Sequence, residues 1–268
     1  MTRLLFGKPL PEKQLKTQLQ QWKNKENFTQ FYEYHLQQTK RHIALSVTHD
    51  QLVIQATHHL EELSKILNTL AKRLREWYAL YHPETGYHIA SHEEFVETIT
   101  KKNKQQLLKE FHVVDSMGSD LEKKDLEAIM QLTTLFLNTQ KIKKEQEDYL
   151  FSLLKKHYPN LTALAGPQIT AKLITLAGSL KKLMLMPAST VQLLGAEKAL
   201  FRHLRSKAKP PKHGIILQHS LLQHAPFQQQ GKRARVLADK LSIAAKVDYF
   251  KGTFIGETLR KEIEAKFK

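Results

Sequence analysis

VIQATHHLEELSKILNTLAKRLREWYALY, residues 53–81, places apolar side chains at Val53, Ala56, Leu60, Leu63, Leu67, Leu70, Leu74, Trp77 and Tyr81, in alternating steps of three and four. A helix returns a side chain to the same face every 3.6 residues, so a 3.5-residue repeat held over four heptads is the pattern of a coiled-coil seam. The stretch is read as one helix about 45 Å long, ended by Pro83 and Gly86. Val53, Leu60, Leu63, Leu67, Leu70, Leu74 and Trp77 are the expected dimer seam.

Past this helix, Ser91 with Glu94 three residues later is a capping box that opens a short helix. The segment DSMGSDLEKK (115–124) turns the chain, and Ser119 with Glu122 repeats the capping pattern ahead of a second long helix over about 120–158. Its apolar stripe runs through Leu126, Ile129, Met130, Thr133 and Leu137, turns polar from Gln140 to Asp148, and recovers at Tyr149, Leu150, Leu153 and Leu154. Two long helices joined by a compact tip read as an antiparallel hairpin. The pattern leaves open whether that hairpin packs only on itself or offers a remaining seam to a second copy.

Residues 1–48 carry turn chemistry at Gly7, Pro9 and Pro11, then a helical run with Trp22, Phe28, Phe31 and Tyr32, aromatic enough to require a partner surface. Residue types do not decide the fold of this short region, and α+β is an open alternative. Pro159 marks the boundary to a third region, 159–268. Helices are expected there over 167–185, where Ala171, Ala177, Gly178 and Ser179 permit close packing, and over 189–205 and 228–247, with a small closing helix. Pro210–Pro211 forces an extended turn, and Gly214–Leu217 is a buried segment of undecided type. The expected fold is all-α in the main: a short N-terminal region, a hairpin over 49–158 and a helical domain over 159–268.

With 41% hydrophobic residues and few Gly and Pro, the chain is neither disordered nor fibrous. It has no cysteine, which excludes disulfides, thiolate metal sites and cysteine nucleophiles. No apolar run approaches the roughly 18 to 20 residues that span a bilayer, and MTRLLFGKPLPEK (1–13) lacks the apolar core of a secretory signal. A soluble, intracellular protein without membrane contact is expected.

The net charge of +16 is unevenly placed: residues 1–158 carry +3 and residues 159–268 carry +13. Clustering of this kind is the footprint of a surface that binds a polyanion, because each neutralised phosphate releases counterions. Two clusters carry it. Lys198, Arg202, Arg205, Lys207, Lys209 and Lys212 follow one another without an acid, and the first three share a helical face. Lys232, Arg233 and Arg235 lie near the start of the last long helix. Phe201, interleaved with the first cluster, is expected to point into the core. Such cations position an RNA backbone, and sequence readout needs other groups.

Fourteen histidines invite a metal reading, but the sequence gives it little support. His58 and His59 are neighbours on a helix and cannot easily share a site. His88 and His92 are four apart but lie in no HExxH arrangement. His213, His219 and His224 lie across a turn region. Neither GxGxxG nor GxxxxGK[ST] nor GxSxG is present, so no motif supports an enzyme and no cofactor is expected.

Long segments at these positions resemble the Nop domain: GPQITAKLITLAGSLKKLMLMPASTVQLLGAEKALFRHL (166–204), PPKHGIILQHSLL (210–222) and GKRARVLADKLSIAAKVDYFKG (231–252). HDQLVIQA (49–56), RLREWYALYHPE (73–84) and DSMGSDLEKKDLEAI (115–129) resemble the family's coiled-coil region, so the likeness covers about residues 40–268. It implies a non-catalytic scaffold of an archaeal box C/D particle, which guides 2′-O-methylation of RNA. In that family the Nop domain docks on a kink-turn of the guide RNA already held by a small ribosomal-type protein, and the coiled coil pairs two scaffold chains. The N-terminal region recruits the methyltransferase fibrillarin, for which Phe28, Phe31 and Tyr32 are the candidate contacts here. Catalysis and S-adenosylmethionine belong to fibrillarin.

Carried over by position, GAEKALFRHL puts Gly195, Glu197, Lys198, Arg202 and His203 at the composite RNA–protein surface. PPKHG adds Lys212, His213 and Gly214, with Gln218 and His219 following. The implied location is the cytoplasm of an archaeal cell, or the nucleolus in a eukaryote. The competing readings are a spliceosomal-type Nop-domain protein that binds a kink-turn without a methyltransferase, a generic basic RNA-binding module, and an RNA-modifying enzyme.

Overall fold

The computed structural model describes residue 20, residues 25–206 and residues 208–267. The expectations at Gly7, Pro9, Pro11, Trp22 and Lys207 lie outside the described residues. Within them every regular element is a helix and there is no strand, and no helix is long and apolar enough to cross a membrane. The chain divides into two units, 1–48 and 49–268.

In the first unit the described part is one helix, α1 (Lys25–Ser46), so the α+β alternative finds no strand among the described residues. Phe28 stacks on Tyr32 at 6.5 Å and Phe31 tilts against His35 at 4.1 Å, the i,i+4 neighbours of a helix face. Phe28 and Tyr32 are both more than half exposed.

The second unit opens with α2 (His49–Tyr78), which lies antiparallel to α6 (Lys123–His157). Val53 and Ala56 at one end of α2 share a core with Leu150 and Leu154, while Leu67, Leu74 and Tyr78 at the other share a core with Ile129 and Phe136. The polar run Gln140–Asp148 lies between these two cores and forms its own i,i+4 pairs, Lys141–Glu145 at 4.0 Å and Lys143–Glu147 at 3.9 Å. Val53, Leu63, Leu67 and Leu74 are buried, with Leu60 and Leu70 half-buried against the same cores and Trp77 partly exposed. The 3.5-residue seam is therefore used inside the chain, covered by its own α6. A different stripe is left open on α6: Leu135, Ile142 and Tyr149, seven residues apart and each about half exposed.

Three short helices, α3 (Pro83–His88), α4 (His92–Lys101) and α5 (Lys104–Glu110), build the tip. Ser91 caps α4 by accepting the Glu94 N–H, as the sequence indicates. Arg75 fastens the tip to α2. Its guanidinium donates to the carbonyls of Gly86, Ile89, Ala90 and Ser91 at 2.6–3.1 Å and to His92 Nδ1 at 3.0 Å. The two ends of the tip lock through Glu84, which accepts the Met117 N–H at 2.7 Å and the Ser116 hydroxyl at 2.8 Å. The Ser119–Glu122 capping box does not form: α6 starts at Lys123, so Glu122 and not Ser119 takes the capping position, without a side-chain cap, and Ser119 donates its N–H to Leu80 O in the same crossing. His88 stacks on Phe111 and His92 accepts from Arg75, so each of this pair is engaged separately.

After Pro159 the chain packs into a body of short helices around one long one. They are α7 (Pro159–Ala165), α8 (Pro167–Ala177), α9 (Leu180–Leu185), α10 (Ala188–Leu193), α11 (Glu197–Ser206), a 3-10 turn (Ile215–Gln218), α12 (Ser220–Gln223), α13 (Phe227–Tyr249) and α14 (Gly256–Lys266). The helix expected over 167–185 is two helices. Gly178 adopts φ +79, a left-handed cap, and Ser179 then accepts the Lys182 N–H to start α9. The helix expected over 189–205 likewise breaks at Gly195, φ +84. Gly214–Leu217, undecided from sequence, is largely the 3-10 turn.

Candidate nucleic-acid interface

The basic surface is built on a corner where two backbone segments touch. Gly195 turns the chain between α10 and α11, and Glu197 Oε1 accepts the Gly195 N–H at 2.7 Å. The segment after Pro210–Pro211 then crosses that corner: Gly214 N–H donates to Gln192 O at 2.8 Å and Ile215 N–H to Leu194 O at 2.7 Å. A Cβ on Gly214 would lie 1.9 Å from Leu194 O, so only glycine permits the crossing. Lys212 clamps the segment to α13. Its carbonyl accepts Gln192 Nε2 at 2.6 Å, and its ammonium donates to Phe227 O at 3.2 Å while lying 3.5 Å from the centre of the Phe227 ring. His203 Nδ1 bonds the Ala208 carbonyl, which returns the loop to α11.

This scaffolding sorts the sequence-predicted residues by whether their polar atoms are already engaged. Gly195, Glu197, His203, Lys212 and Gly214 hold the corner itself. Arg233 is half-buried: it donates to Leu221 O and Gln229 Oε1 and lies over the Phe267 ring. His219 is also used within the chain. Its Nδ1 accepts the Leu221 N–H at 3.1 Å and its Nε2 faces Leu164 O at 3.0 Å, which requires the neutral ring with hydrogen on Nε2. Burial lowers its pKa, which keeps it in that form. Gln218 and His219 line a cleft of about 570 Å³ with Arg260 and Glu264, to which α11 contributes nothing. His213 is half-buried beside Lys212.

Lys198, Arg202, Arg205, Lys209, Lys232 and Arg235 remain. All six are exposed, and their side chains make no hydrogen bond or ion pair among the described residues. From Lys198 through Ala238 the sequence holds no Asp or Glu; Glu197 beside Lys198 is bonded to the Gly195 N–H, and Asp239 lies one turn beyond Arg235. The two clusters belong to one surface because Lys212 binds their connecting loop to the first turn of α13, close to Gly231.

The apolar part of this surface departs from the sequence reading. Phe201, expected in the core, is 59% exposed and Leu204 is 68% exposed, and no residue of α11 is buried. On a helix turning 100° per residue, Leu200 and His203 take the inward arc, which leaves Phe201 and Leu204 beside Arg205 and Lys198. That arithmetic is available from sequence, although the assumption that phenylalanine points inward hides it.

The family model for Nop, described as "snoRNA binding domain, fibrillarin", matches residues 59–268, which include every residue of this surface. The chain belongs to the Nop family. It is 42% identical to an uncharacterised NOP5 family protein of Methanocaldococcus jannaschii over 230 residues, 80% of this chain and 55% of that protein. It is 35% identical to nucleolar protein 56 of Schizosaccharomyces pombe over 239 residues, 80% of this chain and 48% of that one. A chain in a crystal structure of a fibrillarin/Nop5p complex is similar at 25% identity with a TM-score of 0.48, covering 90% of this chain and 80% of that one. This Nop chain spans about half the length of the curated relatives it matches.

Proposed function

We propose that this Nop chain is the non-catalytic scaffold of a box C/D particle that guides 2′-O-methylation. It bridges a kink-turn guide RNA with its bound ribosomal-type protein and the methyltransferase fibrillarin. The observation that carries the reading is α11, a helix with one arc of uncompensated cations, Lys198, Arg202 and Arg205, and an adjoining exposed apolar pair, Phe201 and Leu204. Cations of this kind neutralise phosphates. Exposed Phe and Leu next to them fit a protein surface, so the helix suits a composite of RNA and protein better than RNA alone. The family description, with its snoRNA-binding and fibrillarin terms, supports the same partners. Catalysis and its cofactor are assigned to fibrillarin. Phe28, Phe31 and Tyr32 on α1 are the proposed fibrillarin contacts.

The scaffold is a homodimer through its hairpin in this reading. Because the 3.5-residue seam is covered by α6, we assign the contact with a second copy to the open stripe Leu135, Ile142 and Tyr149.

A gel-shift titration on a box C/D kink-turn RNA, with and without the kink-turn-binding protein, tests the proposal. Binding that requires the partner, and that is lost in Lys198→Glu/Arg202→Glu without unfolding, is the expected result. Equal, salt-sensitive binding in both lanes and on unrelated RNA would replace the scaffold by a generic basic RNA binder.

A further inference from the structure

At the end of α13 remote from the α11 surface, the chain reads KVDYFKGTFIG, residues 246–256. Phe250 is 71% exposed and Phe254 is 54% exposed, although both follow a well-packed helix. The loop that presents them is fastened at both ends by one buried pair. Asp248 accepts the Asn160 N–H and side-chain amide and the Leu161 N–H at 2.8–3.0 Å, and Asn160 Oδ1 accepts the Ile255 and Gly256 N–H groups at 2.7 and 2.8 Å. Tyr249 supports Phe250 edge-on at 5.1 Å. The rings are thus held out on a pre-set loop, so little ordering entropy is lost when something stacks on them.

The surroundings are basic. Lys246 and Lys251 lie on the loop and the helix end before it. Lys155 and Lys156 come from the last turn of α6, which the Asn160–Asp248 pair brings alongside. All four are exposed without an ion pair among the described residues, and Asp248, the sole acid in 246–256, is turned inward and saturated. Lys251 lies close enough to His157 for its charge to add to the burial that lowers the imidazole's pKa. It also occupies a left-handed position, φ +54, with Gly252 N–H closing on Val247 O, where a helix end ordinarily takes glycine. The strained site therefore carries a charge at a conformational cost.

We propose that Phe250 and Phe254, with Lys155, Lys156, Lys246 and Lys251, form a stacking site for unpaired RNA nucleotides, roughly 25 Å along α13 from Lys232 and Arg235. Unlike the Phe201–Leu204 pair of α11, both exposed apolar groups here are aromatic rings. Interleaved lysines and open ring faces match a single strand, in which every base has a face to stack and every link a phosphate to neutralise. The inference rests on the RNA-binding reading above.

The test uses the full chain with two RNAs, a kink-turn with an unpaired extension and the same kink-turn trimmed of it, both with the kink-turn-binding protein. Phe250→Ala/Phe254→Ala is expected to weaken binding of the extended RNA by about tenfold or more, the loss of at least one stacked base, and to leave the trimmed RNA unaffected. Ultraviolet cross-linking to a 4-thiouridine in the extension is expected to label the 247–260 peptide. Lys251→Gly should raise the melting temperature and still weaken the extended complex, which separates charge from folding. Unchanged affinity for the extended RNA in all these variants overturns the site, as does an equal loss on both RNAs. Loss of a protein partner with RNA affinity intact would reassign the rings to a protein contact. If the wild-type chain binds neither RNA, the scaffold reading fails first and this site with it.

Discussion

The carboxylate of Asp248 and the side chain of Asn160, 88 residues apart, form a buried pair that closes the C-terminal body. Asp248 caps the first backbone N–H groups of α7, and Asn160 caps the start of α14, so three helices share one polar junction. Burial pushes the Asp248 carboxyl up, against the N–H donors that favour its anion.

Asp248→Ala strands two backbone N–H groups and one amide in the core. An unsatisfied buried donor costs about 1–3 kcal/mol, so a loss of about 3 kcal/mol is expected, read as a lower urea midpoint with an unchanged slope. A shift under about 1 kcal/mol would show that water replaces the carboxylate.

The two apolar stripes of the hairpin separate folding from association. Leu67→Asp or Leu74→Asp puts a charge into the intrachain core and is expected to cost more than about 3 kcal/mol. Ile142→Asp on the open stripe should leave the melting temperature within about 2 °C of wild type and shift sedimentation from dimer to monomer. A dimer untouched by Ile142→Asp and Leu135→Asp together would remove this stripe from the contact.

Gly214→Ala drives a Cβ to 1.9 Å from Leu194 O, a backbone atom that cannot swing aside. The crossing must open, which is expected to lower stability by about 2 kcal/mol or more and to move the Lys209–Lys212 segment. Hydrogen exchange should quicken at Gly214 and Ile215, whose N–H groups make the crossing, while α2 and α6 keep their protection.

Burial lowers the pKa of His82, His157 and His219 alike. Each folded-state pKa lies below the unfolded value near 6.5, so the unfolded chain binds more protons in the window between. Their contribution to stability is therefore complete above about pH 6.5 and is lost as pH falls through the folded-state values. Denaturation midpoints should fall from pH 7 to pH 5, by at most about 1.4 kcal/mol per unit for each histidine. His219→Asn keeps an acceptor for the Leu221 N–H and should flatten part of that slope. An identical slope would mean that His219 does not titrate in this range.

The elements that were legible in the sequence rest on local periodicity. The single long helix under the α2 repeat, the break between helices at Pro159 and the polar interval Gln140–Asp148 follow from spacing and residue type, and the structure has all three. No division into separate units falls at Pro159, because residues 49–268 form one unit whose core joins Val53 and Leu154 to Leu161 and Leu173. The pattern identifies a seam, but it cannot say whether the partner helix comes from the same chain. Gly178 and Ser179 read equally well as packing residues and as a break, and the choice depends on where Leu180 must go. Its N–H reaches Asp50 Oδ2, 130 residues earlier, and Asp50 also accepts the Tyr158 hydroxyl at 2.5 Å. Pairings of that range leave no trace in spacing. At the candidate surface the net charge was readable, but which cations remain free was not, because Arg233 and Lys212 are engaged by backbone carbonyls and rings distant in sequence.

The helix α11 buries none of its ten residues. A helix so short gains little from its own hydrogen bonds, so its stability in the free chain depends on the Gly195 corner and the His203–Ala208 contact. With none of its residues buried, it is expected to open by local fluctuation rather than by global unfolding. Whatever binds α11 must therefore supply the free energy that rigidifies it, and a first ligand that does so lowers the cost for the next. Cooperativity between two partners at this helix needs no movement of the rest of the body.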